Sequence, residues 1–68
     1  MAYRETDIVR EGMSHTIIRK GEGRYELLKH GATHATVCGW FTFPNDSAKA
    51  LAYANREFDK REGLANAV

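Results

Sequence analysis

The period of apolar and polar positions changes near the middle of the chain. From Ser14 to Phe43, apolar residues come in short β-branched and aromatic runs broken by glycine; from Ser47 onward they recur at helical spacing. Runs of the first kind fit strands, and the second pattern fits an amphipathic helix. Ile17-Ile18 anchors a strand over 14–20, Gly21-Glu22-Gly23 signals a tight turn, and a second strand follows over 24–30. With Glu22-Gly23 as the central turn residues, Ile18 faces Leu27, Ile17 faces Leu28, and Arg19 faces Glu26 as a cross-strand charge pair. Gly31 marks the next turn, and the third and longest strand spans 33–43. Taking Gly31-Ala32-Thr33 as the loop sets Val37 against Leu27 and Gly39 against Tyr25.

The helix is expected over 46–62. Pro44-Asn45-Asp46-Ser47 reads as its start, with Asn45 or Asp46 as the N-cap whose side-chain oxygen accepts a free first-turn N–H. Ala48, Leu51, Ala52, Asn55 and Phe58 form its apolar stripe, with Asn55 at the boundary. Lys60 and Arg61 suit the negative end of the helix dipole, and Gly63 suits a left-handed stop. Ahead of the strands, Ile8-Val9-Arg10-Glu11-Gly12 echoes Ile17-Ile18-Arg19-Lys20-Gly21, which makes it a fourth strand or a disordered lead-in. Residues 1–6 are expected to be loose, and 64–68 form a short apolar tail that frays or docks.

These elements predict a single α+β domain over 1–68, a three-stranded antiparallel meander (four-stranded if 8–11 pairs) followed by one C-terminal helix on one sheet face. Alternation puts Ile18, Tyr25, Leu27, Val37, Phe41 and Phe43 under the helix, with Phe41, Phe43, Leu51 and Phe58 as the core nucleus. The other face then carries Ile17, Arg19, Arg24, Glu26, Leu28, His30, His34, Thr36, Cys38, Trp40 and Thr42. That mixture is too apolar for plain solvent surface and too polar for a second core.

Composition narrows the function. Ten Lys and Arg against nine Asp and Glu leave the chain near neutral, unlike domains whose task is to neutralise phosphates. The single cysteine rules out an intramolecular disulfide and fits a reducing, cytoplasmic setting. No apolar run approaches the ~20 residues of a membrane span, and Met1–Glu5 lacks the pattern of a secretory signal, so no membrane role is expected. Only about 60% of the unfolded surface is buried in a domain this small, and a homodimer is one way to add to it.

No catalytic constellation emerges. His30 and His34 flank the second turn in a geometry that suits two metal ligands, but Cys38 lies four strand residues further on, roughly 13 Å away, so they read as ordinary polar residues. Cys38 has no adjacent base, Ser14-His15 matches no nucleophile motif, and Ser47 is better explained by the first turn of the helix. No phosphate loop, carboxylate pair or dinucleotide fingerprint is present. No enzyme activity, metal or cofactor is therefore expected.

Trp40 is the prominent candidate. A tryptophan on the uncovered face, beside Arg19, Arg24, Glu26, Ile17 and Leu28, has the composition of a protein-interface hot spot. Tyr53 and Arg56 on the outward helix face form a secondary contact surface.

Three strands, a helix on one face and an open second face resemble two groups of DNA-binding domains: those of plant ethylene-response transcription factors and the arm-site-binding domains of phage and transposon integrases. The likeness rests on Gly23-Arg24-Tyr25, Cys38-Gly39-Trp40-Phe41 and the helix from Ala48 to Tyr53, and covers about Ile17 to Phe58. It implies that Arg19, Arg24 and Trp40 would read the DNA major groove. In size and lack of motifs the chain is also similar to small phage accessory proteins, including anti-CRISPR and host-takeover inhibitors. The expectation that follows is a small non-enzymatic module of that inhibitor class that binds a protein partner through its open sheet face. The alternatives are a sheet-face DNA-binding module and a homodimeric assembly protein.

Overall fold

The computed structural model describes residues 5–63, so the N-terminal residues 1–4 and the expected tail over 64–68 lie outside the described residues. A short 3-10 turn, Glu5–Asp7, replaces the loose segment expected at Glu5 and Thr6. Four strands follow, β1 (Ile8–Glu11), β2 (His15–Gly21), β3 (Arg24–Lys29) and β4 (Thr36–Thr42), and then one helix, α1 (Ser47–Arg61). The strands form an antiparallel meander in the order β1-β2-β3-β4, and α1 packs across β2, β3 and β4. This is the expected α+β architecture, and the echo at Ile8–Glu11 is the fourth strand.

The β2–β3 register differs from expectation by one residue, for an identifiable reason. Gly21 does pair with Arg24 around Glu22-Gly23, as the turn requires, but the ladder shifts between Arg19 and Gly21. Lys20 is the extra residue of this bulge, so beyond it Ile17 pairs with Leu27, Ile18 with Glu26 and Arg19 with Tyr25. Since side chains alternate, the slip exchanges the faces of Ile17 and Ile18. Ile17 joins Tyr25, Leu27, Ala50, Ala54 and Phe58 in the core under the helix, while Ile18 lies on the opposite face. The turn itself depends on Gly23, whose φ of +68° suits glycine and whose missing Cβ would sit 2.2 Å from the Phe43 carbonyl oxygen.

A second bulge separates Leu27 from Leu28 along β4. Leu27 pairs with Gly39 and Leu28 with Val37, so Cys38 is left over. Val37 therefore moves to the face away from the helix, and Cys38 packs on the core, the reverse of expectation for both. Tyr25 lies opposite Phe41 rather than Gly39, and β3 and β4 are joined by a longer loop over 30–35.

Helix α1 starts and stops where the sequence signals it. Asp46 is the N-cap, its carboxylate accepting from the Lys49 N–H at 2.9 Å, and Gly63 takes a left-handed φ of +78° just past the end. The buried stripe is Ala50, Ala54 and Phe58 with Leu51 beside it, whereas Ala48 and Ala52 are exposed. The helix is thus rotated from the expected stripe, because the small alanines at 50 and 54 let it sit close to the sheet while Phe58 fills the core. Asn55 lies at the boundary, where it accepts a hydrogen bond from Arg10 at 3.1 Å.

Candidate binding surface

On the face away from the helix, paired residues form rows across the sheet. One row runs Ile8, Ile18, Glu26, Trp40; a second runs Thr16, Leu28, Val37; a third pairs Arg24 with Thr42. Burial is uneven along these rows. Ile18 is 1% exposed, Leu28 4%, and Thr16 is also buried, its hydroxyl 2.6 Å from Nε2 of His30. On the β3–β4 side the face opens: Trp40 is 67% exposed, and Arg24 and Thr42 are exposed beside it. Glu26 lies directly opposite Trp40, and Arg24 is its diagonal neighbour, within reach of a long side chain.

The six residues expected to share one binding face are therefore divided. Trp40, Arg24 and Glu26 come together on the open side. Leu28 shares their face but is buried. Ile17 is 0% exposed beneath the helix, because of the Lys20 bulge. Arg19 pairs with Tyr25 on the helix side of the sheet, where its guanidinium lies 3.5 Å from Glu22. Arg19, Arg24 and Trp40, the trio implied by the resemblance to DNA-binding domains, thus lie on two different faces.

A second feature lies at the border of β4 and α1. Phe41, Tyr53, Arg56, Glu57 and Lys60 line an open groove of about 540 Å³. The four helical residues follow the i, i+3, i+4, i+7 spacing of one helix stripe. Tyr53 stacks on Phe43 with ring centroids 5.3 Å apart, and Glu57 accepts from Arg61 at 3.0 Å. Tyr53 and Arg56, the secondary surface expected from the sequence, are thus neighbours in this groove. Glu57 and Lys60 belong to the same outward, mixed-charge helix face by their spacing from Tyr53, whereas Phe41 was legible only as core.

The third cluster went unread in the sequence. The Glu62 carboxylate accepts hydrogen bonds from the N–H of Met13 at 2.9 Å, the N–H of Ser14 at 3.0 Å and the Ser14 hydroxyl at 2.6 Å, and lies 2.7 Å from His15 Nδ1. The Ser14 hydroxyl above all, then the His15 ring, hold its pKa down to about 2, with help from the two backbone N–H groups and against some burial. Gly12 permits this approach, since a Cβ there would lie 2.6 Å from the Glu62 carboxylate oxygen and 2.5 Å from the Phe58 ring. Serine, histidine and carboxylate invite comparison with a hydrolytic triad, and the geometry argues otherwise. Such a triad spans both ring nitrogens, with the serine on one and the acid on the other. Here the Ser14 hydroxyl (3.1 Å) and Glu62 meet the same nitrogen, Nδ1. The Ser14 proton is directed to Glu62, so the hydroxyl is a structural donor. Sequence separations of 47 and 48 residues leave no local signal for these contacts.

The histidines of the β3–β4 loop are separately engaged, His30 with Thr16 and His34 with Thr33 at 3.0 Å. Among the described residues no group of three or more His, Cys, Asp and Glu is arranged to hold a metal, and no helix is long and apolar enough to cross a membrane. Comparisons with protein-family models, with curated proteins and with solved structures gave no match to this chain.

Proposed function

We propose that the protein is a small non-enzymatic binding module that engages a protein partner through the β3–β4 side of its open sheet face, with Trp40 as the anchor. One observation carries the reading: a tryptophan two-thirds exposed within the regularly paired part of β4, on the face the helix does not cover. Leaving that much aromatic surface in water forgoes burial free energy of order 1–2 kcal/mol. Tryptophan is also the residue most enriched where interfaces concentrate their energy. Glu26 and Arg24 beside it supply one charge of each sign, the mixed polar surround of such an anchor. Near-neutral net charge supports a protein over a polyanion. Occupying a surface of a larger assembly, as small inhibitor proteins do, is the mode of action this implies.

The test is capture of partners from a cell lysate by the tagged protein and by Trp40→Ala, with circular dichroism to show that the variant is folded. Loss of specific capture in the variant is expected, and undiminished capture overturns the reading. Titration with mixed-sequence duplex DNA at two salt concentrations is the companion measurement. Tight binding that collapses with salt would replace a protein partner with nucleic acid.

A further inference from the structure

The two edges of the sheet are built differently. β1 is four residues long, its ladder is interrupted at Val9, and it carries Arg10 and Glu11. Shortness, a bulge and charge are the devices by which proteins protect an edge from unwanted pairing. β4 forms the other edge, and its outer side has no strand partner among the described residues. It runs for seven residues, Thr-Val-Cys-Gly-Trp-Phe-Thr, with no charge and no proline. Its bulge is confined to Cys38, which leaves Gly39–Thr42 in regular pairing. An unguarded edge of this composition is a template for one more strand.

The groove beside that edge specifies which strand. Of its charged residues, Glu57 is engaged with Arg61, whereas Arg56 and Lys60 have no ion-pair partner among the described residues. They stand one helical turn apart, about 6 Å along the axis. Alternate residues of an extended chain lie about 6.7 Å apart on one face. Two carboxylates at positions i and i+2 of an added strand share one face, as Arg56 and Lys60 share one stripe of the helix, and the side chain between them points to the opposite face, where Trp40 lies.

From this we infer that β4 accepts an extended acidic segment of a partner protein by strand addition. Carboxylates at i and i+2 meet Arg56 and Lys60 in the groove with Phe41 and Tyr53, and an apolar residue at i+1 packs on Trp40. The inference deepens the Trp40 reading and rests on it, naming the partner's chemistry. A second copy of this chain is the poorer occupant, because β4 contains no Asp or Glu to offer Arg56 and Lys60.

The experiment uses two capped octapeptides, one alternating glutamate and valine and one alternating lysine and valine, titrated into the isotope-labelled protein and followed by amide NMR shifts. The glutamate peptide is expected to perturb the amides of Gly39–Thr42 and to bind about tenfold more tightly than the lysine peptide, as two exposed ion pairs allow. That preference should vanish in Arg56→Gln/Lys60→Gln, whose exposed positions leave the fold intact. Equal binding of the two peptides, no binding of either, or a preference that survives the double substitution overturns the proposal. So does sedimentation showing a concentration-dependent dimer whose shifts map to β4, which would assign the edge to a second copy. If Trp40→Ala abolishes lysate capture while the double variant retains it, this inference fails and the Trp40 reading stands. Retained capture by Trp40→Ala removes both.

Discussion

Phe58 is where the packing can be tested most severely. Its ring is 2% exposed, packed with Ile17, Tyr25, Leu27, Ala50 and Ala54, and the Arg10 guanidinium sits 4.1 Å from the ring centroid. Truncating a buried phenylalanine to alanine costs about 3–5 kcal/mol, and losing the partly exposed cation–π contact adds about 0.5–1 kcal/mol. A domain of this size commands roughly 3–5 kcal/mol in all, so Phe58→Ala should be largely unfolded at 25 °C. Phe58→Leu restores most of the volume and should cost about 1–2 kcal/mol. With a urea m-value near 1 kcal/mol/M, that lowers the midpoint by roughly 1–2 M. Far-UV circular dichroism is the proper probe, because Trp40 is already in water in the folded state. The control is Tyr53→Ala, on the outer helix face at 42% exposure, where loss of the stack on Phe43 should cost about 0.5–1.5 kcal/mol. If Phe58→Ala melts within about 1 kcal/mol of the parent, or Tyr53→Ala is the more damaging, the helix docks through a different face.

The Glu62 carboxylate, with its pKa depressed to about 2 against an ordinary 4.5, contributes stability that is complete above about pH 4.5 and is lost as the pH falls through that window. Acid titrations of the thermal midpoint should show this slope, and Glu62→Gln should flatten it; an unchanged slope in the variant contradicts the contact. Gly23→Ala forces a side chain into a left-handed turn against the Phe43 carbonyl, for which a loss of about 2 kcal/mol or more is expected in urea melts. Trp40 should emit at the red-shifted maximum of a hydrated indole and be quenched readily by acrylamide. Trp40→Ala should leave the unfolding free energy from urea melts within about 0.5 kcal/mol of the parent, and a larger loss would make Trp40 a structural residue.

Element types and order were legible because each has a local cause: Glu22-Gly23 for the hairpin, Asp46 for the helix start, Gly63 for its stop. What was not legible came from tertiary packing. β2 is the inner strand whose residues His15 to Ile18 are all buried, so it shows no alternation by which to fix a register. With two isoleucines side by side, a one-residue slip exchanges equivalent side chains, and only the Lys20 bulge decides which faces the helix. The helix stripe differs from the expected one for a related reason. Alanine suits exposed and buried positions alike, so Ala48 and Ala52 could not be told from Ala50 and Ala54 by type. Trp40 kept its expected face because beyond the Cys38 bulge the register is displaced by two residues, Leu27 pairing with Gly39 and Tyr25 with Phe41, and an even displacement preserves the alternation. The open face shrank to its β3–β4 half because Ile18, Thr16 and Leu28 are buried there, a fact that alternation alone does not carry.

The way the helix is fastened explains why the exposed features gather on one side. Its N-terminal end is held close to β4 by the short connection through Phe43 and Asp46, where the Asp46 N–H donates to the Phe43 carbonyl at 2.9 Å. Its C-terminal end is held at the β1–β2 turn by Glu62, with Arg10 adding an ion pair to Asp59 at 2.8 Å. These two anchorages lie at opposite ends of the strands and on opposite sides of the sheet, so α1 must cross diagonally. A diagonal helix packs in turn across β4, β3 and β2. The groove lined by Phe41, Tyr53, Arg56, Glu57 and Lys60 lies between β4 and this helix, which is held at both ends. A groove with fixed walls needs little ordering when it is filled, which lowers the entropic cost of binding. The charged, hydrogen-bonded contacts at the β1–β2 end thus stabilise the domain and also set the course of the helix that forms one wall of the groove.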